Sequence, residues 1–249
     1  MALLVDVHCH LTAREFEGRV LQVVEEAVEA GVMLIITSGL GYRDALKALE
    51  ISDGARVHPS IGVAPYDLEG YEDVLGLIER EKSRIVAVGE VGLDYWRGGR
   101  ESRALQQMVF EEFIDLAKAL DLPIIVHSRS AGKYALEILS RKRAERVIMH
   151  AFDGNASHAA RAAHRGYMFS IPPSIARSRQ KQKLVEKLPL ENILLESDAP
   201  VLAPSRDEVN RPRNVRISAE WISRIKGVSL EKVEEKTTQN ALELFGLRV

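Results

Sequence analysis

The run from Leu3 to Leu11, "LLVDVHCHL", decides how this chain is read. Its first half is apolar enough for a strand covered on both faces, yet it runs out on two histidines two positions apart. After a short polar connection comes "RVLQVVEEAVEAG" at 19–31, with apolar residues at three- and four-residue spacing. That segment closes on Gly31, where a helix stop belongs. A covered strand followed by an amphipathic helix is one βα unit, and the pairing recurs along the chain.

Further apolar runs predict strands at 32–38, 56–63, 84–91, 123–128, 146–152, 167–171 and 192–197, joining the first at 3–8. Helical patterns lie between them, the longest over 102–123, where Pro123 opens the next strand. Eight such units in about 250 residues predict an α/β fold of the TIM-type (β/α)8 barrel class, as a single domain over residues 1–249. A doubly wound open sheet would use the same units, and repeat count alone does not separate the two. No low-complexity linker interrupts the pattern. The proline-bearing segment 199–214 reads as a long loop at the active face.

With 46% hydrophobic residues the chain can bury a large core, and a net charge of −2 gives no global basic field. One cysteine, Cys9, excludes an internal disulfide and fits a reducing compartment. It points away from its histidine neighbours and is expected to be buried packing. No apolar run approaches the ~20 residues of a membrane span, and no cationic leader precedes the first apolar run. The expectation is a soluble cytoplasmic protein with neither a membrane nor an obligate protein partner.

In a (β/α)8 barrel, reactive groups come from the C-terminal ends of several strands. His8 and His10 end or follow strand 1, Glu90 lies near the end of strand 4, and His127 ends strand 5. His150 ends strand 6, and Asp198 follows strand 8. Alternate side chains of an extended segment point the same way, so His8 and His10 can grip one ion. Taken singly, each residue has a plain structural reading: a hydrogen-bonded histidine, a turn glutamate, a capping aspartate. Six ligand-type residues at the same predicted rim point to a metal centre. Four imidazoles with two carboxylates suit zinc, manganese, nickel or iron, with magnesium less natural at so many nitrogens. His58 begins its strand and so faces the opposite end, while His158 and His164 belong to a helix exterior.

The segments "DVHCHL", "VGEVGLDYW", "LPIIVHSR", "HAFDG" and "LLESDAP", in this order and spacing, resemble the TatD family of metal-dependent deoxyribonucleases among the amidohydrolase-like barrels. The likeness extends over nearly the whole chain, down to "KTTQNALELFGL". It implies two divalent ions per chain and hydrolysis of phosphodiester bonds in DNA, often from a 3′ end. Position by position, it implies that His8, His10 and Asp198 hold one ion. Glu90 would bridge to a second ion that His127 and His150 complete. Two ions sharing a hydroxide supply a nucleophile at neutral pH and offset charge on the phosphate. Asp198 then orients it and accepts its proton, with Glu90 as the other catalytic carboxylate.

Substrate contacts are expected from Arg129, whose planar fork suits a phosphate, from the adjacent Ser128, and from Tyr95, which with Trp96 can stack on a base. The chain departs from the family pattern after strand 3, where Ala64 and Tyr66 stand in place of histidines. It also departs at Phe113, often glutamine, and at Asp153 in "HAFDG"; "RPRNV" only approximates the tail after "ESDAP". Two basic stretches could form a local rim for single strands or DNA ends. They are 176–187 and the strand-8 loop with Arg206, Arg211, Arg213 and Arg216. The competing readings are an amidohydrolase or esterase for a small molecule and a non-catalytic barrel. The former would be expected to carry a metal-bridging lysine where Glu90 stands; six intact ligands count against the latter.

Overall fold

The computed structural model describes residues 3–248; positions 1, 2 and 249 of the expected single-domain span lie outside it. Eight strands form one parallel sheet in sequential order. They are β1 Leu4–Cys9, β2 Val32–Leu40, β3 Val57–Gly62, β4 Ala87–Gly92, β5 Ile124–His127, β6 Val147–Met149, β7 Met168–Ile171 and β8 Ile193–Leu195. Sequential order is what a barrel requires and a doubly wound sheet does not have. The seam between first and last strands is stitched just beyond β8, where Asp198 N–H donates to His8 O at 2.9 Å and His10 N–H to Ala199 O at 2.8 Å.

The helices are α1 Val20–Glu29, α2 Tyr42–Ile51, α3 Tyr71–Glu81, α4 Arg103–Ala119, α5 Gly132–Arg141, α6 Ala156–Ala163, α7 Arg179–Lys187, α8 Val215–Lys226 and α9 Leu230–Phe245. Gly31 has φ +91°, the left-handed conformation that ends α1 without a Cβ penalty. Pro123, with no N–H to give, precedes β5 and contributes its carbonyl to Val88 N at 2.9 Å.

Two apolar layers follow from the period-two alternation of strands. One face of each strand packs outward on the helices, where Phe113 and Phe169 are wholly buried. The other fills the barrel with residues such as Val7, Ile36, Ile125, Ile148 and Leu194, and Phe245 of α9 joins this inner cluster. Continuing inward-facing positions along the strands leads from this floor to buried Ser38, Ser60, Ser170 and Glu196. Beyond these lie His127, His150 and Asp198. In β1 the register against β2 shifts between Asp6 and Cys9, so Val7 joins the inner cluster while His8 reaches the mouth of the barrel. Cys9 is buried, as expected.

β6 and β8 are shorter than their apolar runs predict. Ala151 adopts φ +37° and Asp198 φ +53°, turning the chain out of the sheet, while Phe152 continues into the helical layer. There its ring meets Phe169 edge-on, with centroids 5.4 Å apart. Phe169→Ala is expected to destabilise the protein by roughly 3–5 kcal/mol, read as a lowered urea midpoint at unchanged m-value. A loss below about 1 kcal/mol would mean that the surrounding core collapses into the space.

Candidate metal centre

Each of the six expected ligands reaches the mouth of the barrel, and each histidine is held from behind. His8 Nδ1 shares a hydrogen bond of 3.0 Å with Ser38 Oγ, which is itself 2.8 Å from Ser60 Oγ. His10 Nδ1 donates to Ser38 O at 3.2 Å. His127 Nε2 donates to Asp94 Oδ2 at 3.1 Å, and His150 Nδ1 to Glu196 Oε2 at 2.8 Å. One nitrogen of every ring is therefore occupied, which fixes the ring and leaves the other free to act as a lone-pair donor.

The free nitrogens converge on two carboxylates. His8 Nε2 lies 3.3 Å from Glu90 Oε2 and 3.5 Å from Asp198 Oδ1; the corresponding distances from His10 Nε2 are 3.4 and 3.5 Å. His127 Nδ1 is 2.5 Å from Glu90 Oε1. His150 Nε2 stands 3.8 Å from Glu90 Oε1 and 3.9 Å from Asp198 Oδ2. His8 Nε2 and His127 Nδ1 are buried, and despite these approaches neither has hydrogen-bond geometry to a partner. Orphaned buried nitrogens aimed at carboxylates are what a ligand set looks like, and the mixed imidazole–carboxylate donors fit divalent transition ions. Two overlapping groups have donor atoms close enough to share an ion, His8 with His10 and Asp198, and His8 with Glu90 and His150. His127 falls outside both of these compact groups, close against Glu90.

Electrostatics reinforces the picture. Burial alone would push His8 toward neutrality, yet the carboxylates of Asp198 and Glu90 hold its pKa well above the ordinary value. The same opposition raises His127 to about 9, through Glu90 and Asp94. Glu90 stays well below the usual carboxylate range despite burial, because His127 and His150 face it. Asp198 is likewise held down against burial by His150, His10 and His8. Both carboxylates sit where compensating positive charge is required, and protons on the imidazoles or divalent cations can each supply it.

Backbone shape makes room for this cluster. A Cβ on Gly62 would lie 2.2 Å from Glu90 O, so only glycine lets β3 and β4 approach here. Several carboxylates and hydroxyls behind the ligands are not singled out by motif reading. Glu196, wholly buried, accepts from His150 Nδ1, Ala151 N (2.9 Å) and Ser170 Oγ (2.6 Å). Asp6 accepts from Ser197 N at 2.8 Å and His8 N at 3.2 Å, and burial raises its pKa to about 7. The available signal was a polar residue two positions before a ligand inside an apolar strand, as Asp6 is to His8 and Glu196 to Asp198.

Above the cluster opens a cavity of about 630 Å³. Ser128 and Arg129 line it, as expected; the Ser128 hydroxyl is buried without a partner, and the Arg129 guanidinium lies 3.7 Å from the Trp96 ring centroid. Tyr95, in contrast, is not among the lining residues: its hydroxyl accepts from Gln107 Nε2 at 2.7 Å and Arg103 lies over its ring. The polypeptide turns it toward α4, while its neighbour Trp96 is exposed and carries Arg129 over its ring. Tyr66, at a departure from the family pattern, carries Arg97 over its ring at 4.4 Å, and both line the cavity.

The basic stretches also end up differently from the expectation. Lys181 of segment 176–187 is buried, lines the cavity and donates to the carbonyl oxygens of Ala151 and Phe152. Burial pushes its amine down to about 8, against the opposing pull of Glu196, Asp153 and Asp198. In the strand-8 loop, Arg211 Nη1 donates to both carboxylate oxygens of Glu26 at 2.6 Å and Arg213 joins it at 3.4 Å. Arg216 pairs with Glu234 at 3.2 Å. These three arginines are occupied in tying the loop and α8 to the rest of the barrel.

Residues 5–246 match the family described as TatD related DNase. The chain belongs to the TatD family. This TatD chain is 44% identical over 258 residues to the deoxyribonuclease TATDN3 of Homo sapiens, covering 97% of itself and 94% of that protein. It is 32% identical to YabD of Bacillus subtilis, called an uncharacterized metal-dependent hydrolase, over 98% of this chain and 99% of that one. The crystal structure of YjjV, a TatD homolog from Escherichia coli K12, has a TM-score of 0.90 at 28% identity over 98% of each chain. Among the described residues, no helix is long and apolar enough to cross a membrane.

Proposed function

We propose that this TatD chain is a divalent-metal-dependent deoxyribonuclease that hydrolyses phosphodiester bonds at DNA ends or in single strands. The observation that carries this reading is the set of four imidazoles, each fixed from behind and each turned toward Glu90, Asp198 or both. Two divalent ions would complete the site: His8, His10 and Asp198 would hold one, His127 and His150 the other, with the Glu90 carboxylate available to both. When bound, the ions acidify water and offset negative charge on the phosphate during displacement.

The residues of the chain supply the rest. Asp198 orients the attacking water and receives its proton on a carboxylate oxygen. Its backbone N–H to His8 O fixes that carboxylate against the first ion's ligands. Asp94 and Glu196 keep His127 and His150 in the tautomers that present a lone pair to the site. Arg129 and Arg97, each stacked on an aromatic ring, and the buried Lys181 surround the cavity with cations suited to a phosphodiester. Pro200, Val201 and Leu202 add apolar lining available to a sugar or base.

Incubation with end-labelled single- and double-stranded DNA tests the reading. Cleavage is expected with Mn²⁺, Zn²⁺ or Mg²⁺, to stop with a chelator, and to return when metal is restored. Absence of metal-stimulated cleavage of both DNA forms overturns it.

A further inference from the structure

Two helices on the barrel's outer wall carry stripes that are mainly cationic. On α5, Lys133, Glu137 and Arg141 recur every four residues; on α6 and the turn after it, His158, Arg161 and Arg165 recur at three and four. At that spacing each set occupies one helical face. The faces border a groove of about 450 Å³, with Leu136, Ala162 and Tyr167 among its lining. Four cationic side chains line it against the single carboxylate of Glu137.

That charge is largely unspent. Lys133 lies 3.7 Å from Glu137, but both are well exposed, at 63% and 57%, and such a pair holds weakly in water. Arg141 is engaged by Glu111 at 2.6 Å. Arg165 reaches across the groove to the hydroxyl of Ser140. Among the described residues no carboxylate pairs with Arg161 or Arg165. This contrasts with the strand-8 loop, where Arg211 and Arg213 are held by Glu26.

The loops that lead into the two helices border the metal cavity. Arg129 and Asp153 line the cavity, and Ser130 N–H donates to Asp153 Oδ2 at 2.7 Å, joining the loops that lead into α5 and α6. Lys133 follows Arg129 by four residues. From there α5 runs ten residues away from the mouth, about 15 Å of helix. The cations are therefore strung along a path.

We propose that the α5–α6 groove is an exosite for the sugar–phosphate backbone of a single-stranded nucleic acid whose end occupies the metal cavity. Lys133, Arg161 and Arg165 meet successive phosphates, and the apolar floor takes sugar and base edges. A spaced series of cations suits a polyanion, whereas one small phosphate would call for convergent donors. The inference rests on the nuclease reading of the cavity.

The test compares wild type, the Lys133→Ala/Arg161→Ala/Arg165→Ala variant and Arg161→Glu alone, as metal-loaded enzymes. Substrates are a labelled 20-nucleotide single strand and bis(p-nitrophenyl) phosphate, and anisotropy of a phosphorothioate 20-mer reads binding. On the 20-mer, KM is expected to rise about tenfold at low salt for the triple variant, with kcat preserved. The slope of log affinity against log salt should flatten by about 2, since each phosphate contributes roughly 0.7 for single strands. Turnover of the small phosphodiester should not change. Arg161→Glu breaks no hydrogen bond or ion pair within the protein and should reproduce the direction of the effect. Unchanged 20-mer affinity and salt slope overturn the exosite, as does an equal loss on both substrates. If wild type cleaves no DNA yet binds the 20-mer with groove-dependent salt sensitivity, the exosite stands while the nuclease reading falls. If wild type binds no 20-mer, the exosite falls.

Discussion

Replacing Glu90 by glutamine is expected to lower metal-dependent turnover at least a thousandfold, about 4 kcal/mol of barrier, and to reduce bound metal. Glu90 is the group on which the cluster turns: His8 and His10 face one of its oxygens, and His127 and His150 the other. Glutamine keeps the shape but removes the charge, and its NH2 end would point a donor at nitrogens that must donate electrons to metal. Metal analysis and the thermal shift on adding Mn²⁺ or Zn²⁺ read the first effect; a single-turnover assay reads the second. Full metal content with wild-type turnover in Glu90→Gln would remove Glu90 from the proposed ligand set.

The second large effect comes from Glu196, which touches no expected substrate and works through His150. Glu196→Ala leaves three donors without an acceptor, the buried His150 Nδ1 and Ser170 Oγ and the half-buried Ala151 N. Removing one partner of a buried charged network costs roughly 3–5 kcal/mol. For a chain of this size that is on the order of 6–20 °C in Tm. Losing a partner behind a metal-binding histidine typically costs about 10–100-fold in metal affinity or activity. Glu196→Gln separates the two consequences. The amide retains one acceptor and most of the packing, so Tm should largely recover while metal affinity stays depressed. Metal affinity equal to wild type in both variants would make Glu196 a structural residue only.

Much of the site could be read before any coordinates because its ligands obey strand arithmetic. A residue that ends a parallel strand in a (β/α)8 barrel arrives at the mouth whatever its neighbours do, so His127 and His150 were placeable from their own short runs. What fails along the sequence is anything set by loop geometry. Tyr95 and Trp96 are adjacent, and no periodicity says where either ring turns; Tyr95 packs by α4 and Trp96 stacks on Arg129. Charge counting fails similarly. Segment 176–187 and the strand-8 loop looked alike as basic surface, but one buries Lys181 under the cavity and the other spends Arg211 and Arg213 on Glu26, 185 residues from Arg211.

The sequence by itself determined the order of β and α units and the six residues that ride on strand ends, while the strand order of the folded sheet decided for a barrel over a doubly wound sheet. The unit order and the strand-end residues follow from local rules: a covered strand is apolar throughout, an amphipathic helix repeats at 3.6 residues, and side chains alternate along a strand. Tertiary structure decided what stands behind and beside those ligands. Closure of the barrel brings Glu196 to His150 and Ser38 to His8, and packs α5 beside α6 so that two modest charge stripes become one groove. Each depends on contacts between segments 20 to 50 residues apart or more, whose meeting is fixed only when the barrel buries its core.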